Sequence, residues 1–110
     1  MRKTAIVPND PHVRRVMIYS KDDGAYLFLY DILEDSPAIA DYWFETIADA
    51  EKACQEKYQI DQKNWETIAD PLPYCQHDWM APVRIKGREL GKEEWGTLEI
   101  LKNGKWEIMK

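Results

Sequence analysis

Residues 13 to 19, Val-Arg-Arg-Val-Met-Ile-Tyr, and 25 to 33, Ala-Tyr-Leu-Phe-Leu-Tyr-Asp-Ile-Leu, are rich in β-branched and aromatic side chains and flank the turn former Lys21-Asp22-Asp23-Gly24. They predict a hairpin. With side chains alternating at period two, Tyr26, Phe28, Tyr30 and Ile32 share one face of the second strand, and Leu27, Leu29 and Leu33 the other. A strand that is apolar on both faces belongs inside a sheet rather than at its edge. Glu34-Asp35-Ser36-Pro37 breaks the pattern, and Tyr42-Trp43-Phe44 predicts a short third strand.

The period then changes to that of a helix. Thr46 followed by Asp49 supplies an N-cap hydroxyl and an acid in the first turn, near the positive end of the dipole. From Ile47, residues Ala50, Cys54 and Tyr58 recur at helical spacing and form one apolar stripe, with Asp49, Lys52, Gln55 and Glu56 elsewhere. Asp61-Gln62-Lys63-Asn64 ends this helix of about three turns.

A brief extended segment at Trp65 to Ile68 precedes Asp70-Pro71-Leu72-Pro73, which opens a long connection. Residues 79 to 86 read as strand-like, with Pro82 restricting them to an edge. Residues 95 to 101 and 105 to 109 flank Asn103-Gly104, a hairpin signal. A two-residue loop would place Glu99 opposite Ile108 and Ile100 opposite Glu107. A three-residue loop with a G1 bulge instead pairs Ile100 with Trp106 and Leu98 with Ile108 on one apolar face, so the bulged register is expected. The whole predicts an α+β domain: an antiparallel sheet of about five strands with one helix packed on a face and loops over part of the other.

At 110 residues the chain has the size of a single domain, 1–110. Its 15 basic and 20 acidic residues give a net charge of −5, which disfavours nucleic acid as a partner. No apolar run is long enough for an export signal or a membrane span, so a cytoplasmic protein with reduced Cys54 and Cys75 is expected.

The densest set of chemically capable side chains is Tyr74-Cys75-Gln76-His77-Asp78-Trp79, in the proline-bounded loop. An imidazolium lowers the pKa of a neighbouring thiol, and thiol and imidazole both ligate metals, so Cys75, His77 and Asp78 are the candidate catalytic residues. If the segment is extended, Cys75 and His77 project to one side. The competing reading is a loop pinned by its own hydrogen bonds, since Cys-His catalysis also needs a group that orients the imidazole and donors for an oxyanion. A zinc site from His12, Cys54, Cys75 and His77 matches no finger or ribbon spacing, and Cys54 falls on the apolar stripe of the helix. Adjacent acids such as Glu34-Asp35 and Glu93-Glu94 are uninformative in so acidic a chain, and no nucleotide-binding, zinc-protease or serine-hydrolase signature occurs. No cofactor is indicated.

Charge placement carries more. Residues 22 to 70 hold thirteen acids and three bases, whereas residues 1 to 21 hold one acid and five bases. Acids interleaved with aromatic side chains suit a basic protein partner, steering its approach and anchoring it. The surface between residues 31 and 56, and within it Asp31, Glu34, Asp35, Asp41, Tyr42, Trp43 and Glu45, is the candidate partner-binding site. The plainer reading is a solvated acidic surface that keeps a small protein soluble. Of the five tryptophans most are expected in the core, with an aromatic groove beside the 70–79 loop as the candidate pocket.

The passage from Asp41-Tyr42-Trp43-Phe44-Glu45-Thr46-Ile47-Ala48-Asp49-Ala50 through Tyr58 to Trp65, with Asp70-Pro71 and Cys75-Gln76-His77-Asp78-Trp79, resembles a family of small uncharacterised bacterial proteins. That resemblance implies no activity and no site residue. In style, an acidic strand-and-helix layout is also similar to bacterial toxin-immunity proteins, which cover a basic toxin; this is an analogy of fold and charge only. The preferred expectation is a non-enzymatic module that binds a basic protein. The alternative is a small enzyme or small-molecule binder using Cys75, His77 and Asp78.

Overall fold

The computed structural model describes residues 1–109. The chain divides into two compact units, Met1–Asp70 and Pro71–Lys110.

In the first unit, β1 (Arg2–Ile6), β2 (Arg15–Lys21), β3 (Gly24–Tyr30), β4 (Ala40–Phe44) and β5 (Glu66–Ile68) form one antiparallel sheet in the order β4-β3-β2-β1-β5. A single helix, α1 (Ile47–Tyr58), packs on it. The fold class is therefore α+β, as the hydrophobic periodicity predicts. One face of the sheet is aliphatic: Ala5, Val16, Ile18, Ala25, Leu27 and Leu29 meet Ala50, Cys54 and Tyr58 of the helix stripe. Small Ala50 and Ala25, both fully buried, let helix and sheet approach closely. The helix begins where expected, with the Asp49 amide donating to Thr46 Oγ1 at 3.1 Å. It ends at Gln59 in the left-handed conformation, whose N–H returns to the last turn.

The opposite face carries longer side chains. Register places Arg2, Tyr19, Tyr26 and Trp43 in one row across the sheet, with Arg15 beside Tyr30 and Met17 beside Phe28. Buried Arg15 stacks its guanidinium 3.7 Å over the Tyr30 ring and donates from Nη2 to the Glu34 carbonyl, which brings the β3–β4 loop onto this face. Its Nε and Nη1 find no hydrogen-bond acceptor among the described residues, so the ring face is their compensation. Arg2, also buried, donates from Nε to the Ala69 carbonyl. Burial lowers its pKa, against the raising influence of nearby Tyr30 and Asp70.

The second unit contains a three-stranded antiparallel sheet, β6 (Val83–Ile85), β7 (Leu98–Lys102) and β8 (Lys105–Ile108), in the order β6-β7-β8.

Three expectations are corrected in detail. The second strand of the first hairpin stops at Tyr30, leaving Ile32 and Leu33 exposed in the loop rather than continuing to residue 33. None of the five tryptophans is buried: Trp43 and Trp95 are exposed and Trp65, Trp79 and Trp106 only partly covered, because smaller aliphatic residues fill the interior of the first unit. The terminal hairpin uses the two-residue loop, pairing Leu101 with Trp106 and Glu99 with Ile108. Asn103 and Gly104 both have positive φ, the geometry of a type I′ turn, so no bulge is needed. The carboxylate that argued against this register is neutralised: Glu99 Oε1 accepts from Arg84 Nε at 2.7 Å on the adjacent strand. Arg84 also meets Glu89 at 3.4 Å and lies 3.7 Å under the Trp106 ring.

Candidate functional site

The acidic, aromatic segment lies on β4 and its two flanking connections. β4 is the terminal strand of its sheet, pairing β3 on one side and no strand among the described residues on the other. Its burial pattern is unlike that of every interior strand: none of its five residues is buried. Period-two alternation sends Ala40 and Phe44 toward the helix side, where both pack against the aliphatic core, and sends Asp41 and Trp43 to the opposite side. Tyr42, between them on the helix side, is 52% exposed, and Trp43 is 51% exposed.

Trp43 is held in place by the neighbouring strand. It sits opposite Tyr26, next to the parallel-stacked pair of Tyr26 and Phe28. Its indole lies over the backbone of Gly24, so near that a Cβ there would come within 2.5 Å of Nε1. A glycine at φ 152° therefore leaves the space the ring occupies. The result is an indole with one face on the sheet and about half its surface toward solvent.

Acids surround this strand. Asp31 and Glu34 are exposed and Asp35 partly covered in the β3–β4 loop, Asp41 is exposed on the strand, Glu45 directly follows it, and exposed Asp49 lies in the first turn of α1. Residues 22 to 51 hold nine acids and no lysine or arginine. All seven residues of the candidate partner-binding set thus lie within one stretch of fifteen residues on the β4 edge and its flanks, six of them exposed. The set omits Ile39, 53% exposed just before the strand, whose amide donates to the Leu29 carbonyl. Its bulk beside the Pro37 break is the signal that would have added it.

The Cys75-His77-Asp78 loop is arranged differently. Cys75 is buried, bridges Arg84 in β6, and donates its amide to the Leu72 carbonyl. The Gln76 amide donates to the Val83 carbonyl at 2.7 Å, and the Gln76 side chain accepts from Arg88 Nη1 at 2.8 Å. A turn at residues 77 and 78 interrupts the extended run on which a common side for Cys75 and His77 depends, and His77 is exposed. The loop is thus tied to β6 by its own backbone.

No disulfide joins the cysteines. Cys54 lies under the helix, where burial pushes its thiol from the ordinary 9.0 up to about 12, with Glu51 adding to the rise. Among the described residues no group of three or more His, Cys, Asp or Glu side chains is placed to hold a metal ion.

Hollows of different depth mark the first unit. One of about 150 Å³ lies between α1 and the following turn, lined by Glu51, Gln55, Ile60 and Trp65, beside the Lys3–Glu51 ion pair at 3.0 Å. A more open one of about 470 Å³ is bounded by Met1, Tyr19, Asp22, Asp23 and Asp70, with the terminal amine 3.2 Å from Asp70. Among the described residues no helix is long and apolar enough to cross a membrane. No family model, no curated protein and no solved structure matches this chain.

Proposed function

We propose that this protein is a non-enzymatic binding module whose β4 edge, with Asp31, Glu34, Asp35, Asp41, Tyr42, Trp43 and Glu45, receives a basic protein partner, in the manner of an immunity protein. The observation that supports this reading is the half-exposed Trp43, fixed over Gly24 and bordered by a thirty-residue stretch without one cation. Aromatic anchors supply contact area at low entropic cost, while surrounding carboxylates accelerate encounter and reject acidic competitors. An acidic surface kept only for solubility has no requirement for two half-exposed aromatic rings at its centre.

The test is capture from the native host at low ionic strength with the full chain as bait, followed by the same capture with Trp43→Ala and with Asp41→Asn/Glu45→Gln. A basic protein retained by the parent, released by salt and lost with either variant is the expected result. Retention that survives both variants, or nothing basic retained, would refute the assignment.

A further inference from the structure

We infer that the partner binds by adding an extended basic segment as a sixth strand alongside β4; this rests on the basic-partner reading above and specifies how that reading is carried out. An outer strand presents a row of unpaired N–H and C=O groups, and adding a strand is a recurrent way to satisfy them. The sheet of the first unit has two such margins. β5 is three residues long, with Glu66 and Thr67 exposed and only Ile68 apolar. β4 is five residues long and carries both exposed aromatic rings. The longer and more apolar margin is the better template.

Charge then selects the occupant. A second copy of this chain laid edge to edge along β4 would bring Asp41 and Glu45 toward their own duplicates, a like-charge arrangement that is destabilising in a sheet. A segment with lysine or arginine at alternate positions turns the same carboxylates into partners. On the side of the sheet bearing Asp41 and Trp43, successive cations two residues apart would meet a carboxylate and then an indole face. On the other side, the intervening residues would meet Ala40, Tyr42 and Phe44, so apolar side chains belong there. The recognised chemistry is therefore an extended stretch alternating cationic and apolar residues.

The probe is a synthetic peptide of about seven alternating lysine and valine residues, the length of an ordinary strand, followed by fluorescence anisotropy with the full chain. In a strand, the amides of alternate residues point to opposite margins, so methylating all lysine amides blocks one margin and methylating all valine amides blocks the other. Parent binding is expected, with one methylated isomer weakened about tenfold or more and the other little changed, because only one isomer loses the interstrand hydrogen bonds. Asp41→Lys/Glu45→Lys should reverse the preference toward a glutamate–valine peptide, and Asp41→Asn should weaken lysine–valine binding without reversal.

Equal binding of both methylated isomers overturns strand addition and leaves a basic partner held by side-chain charge alone. Failure of the parent peptide to bind also overturns it, while the capture experiment decides the broader reading separately. A chain dimer in sedimentation that the peptide does not dissociate assigns the margin to a second copy and likewise overturns it.

Discussion

Cys54 shows how burial alone can decide the chemistry of a residue. Its thiol ionises only at about 12 in the folded chain against an ordinary 9.0. A group that holds its proton more tightly when folded supports the fold below its unfolded pKa, and that support is lost as pH rises toward the folded value. Tyr58, on the same stripe and also raised by burial, acts in the same direction. Stability should fall progressively above pH 9, and Cys54→Ala, though less stable at neutral pH, should fall less steeply; urea melts at successive pH values read this. At neutral pH the folded thiol should resist iodoacetamide until the chain is unfolded, since thiolate is the reactive form. Glu99 is the contrasting case, a buried charge matched by Arg84. Removing Glu99 takes from Arg84 its shorter ion pair and leaves it Glu89 and the Trp106 ring, so Glu99→Ala should cost about 2 kcal/mol, the range of a charge-assisted hydrogen bond. Exposed Glu107→Ala should change stability by about 0.5 kcal/mol or less. The bulged register, with both carboxylates on a wet face, requires similar small effects at both positions, so denaturant titration of the two variants separates the registers.

Elements that advertise themselves locally were legible, and elements defined by distant partners were not. The helix carried its own start at Thr46 and its own buried stripe, both of which recur in the fold. Thr46→Ala should therefore cost about 1 kcal/mol, measurable by thermal melting, because the Asp49 amide loses its acceptor. The first hairpin was equally plain, because Asp22-Asp23 joins strands whose alternation is intrinsic. β1 carries no local strand signal: Arg2-Lys3-Thr4-Ala5-Ile6 has two cations and only two apolar residues. Its burial of Arg2 beneath the Ala69 carbonyl depends on a residue sixty-seven positions away. The terminal register is hidden from local pattern for the same reason, since the cation that makes Glu99 acceptable lies on β6, fifteen residues earlier. The aromatic run at 42–44 was visible as a strand with acids around it. That it ends the sheet follows only from β3 and β2 taking the other places. The tryptophans are large enough to suggest core, whereas Val, Ile, Leu and Ala side chains fill most of the sheet–helix interior, with Tyr58 inside it and Trp65 only packed against its margin.

At the scale of the whole molecule, the sheet–helix core and the candidate binding edge occupy the same part of the chain, whereas buried Cys75, Val83 and Ile85 belong to the second unit. Every residue of the sheet–helix core lies between Ala5 and Trp65, and every residue of the β4 surface between Asp31 and Glu45. The Met1–Asp70 unit thus contains five strands, the helix that covers them and the acidic margin. Seventy residues are enough for a marginal but cooperative domain when most apolar side chains are enclosed. A chain truncated after Asp70 should therefore retain helical circular dichroism, melt in a single transition, and bind the lysine–valine peptide within about threefold of the full chain, a difference under 1 kcal/mol. A broad melt without a baseline would show that residues 1–70 do not fold alone. A cooperative melt with loss of peptide binding would place an essential part of the recognition surface beyond Asp70. The two outcomes differ because folding reads the aliphatic layer between sheet and helix, whereas binding reads the margin of the sheet, and of the β4 side chains only Ala40 and Phe44 serve both.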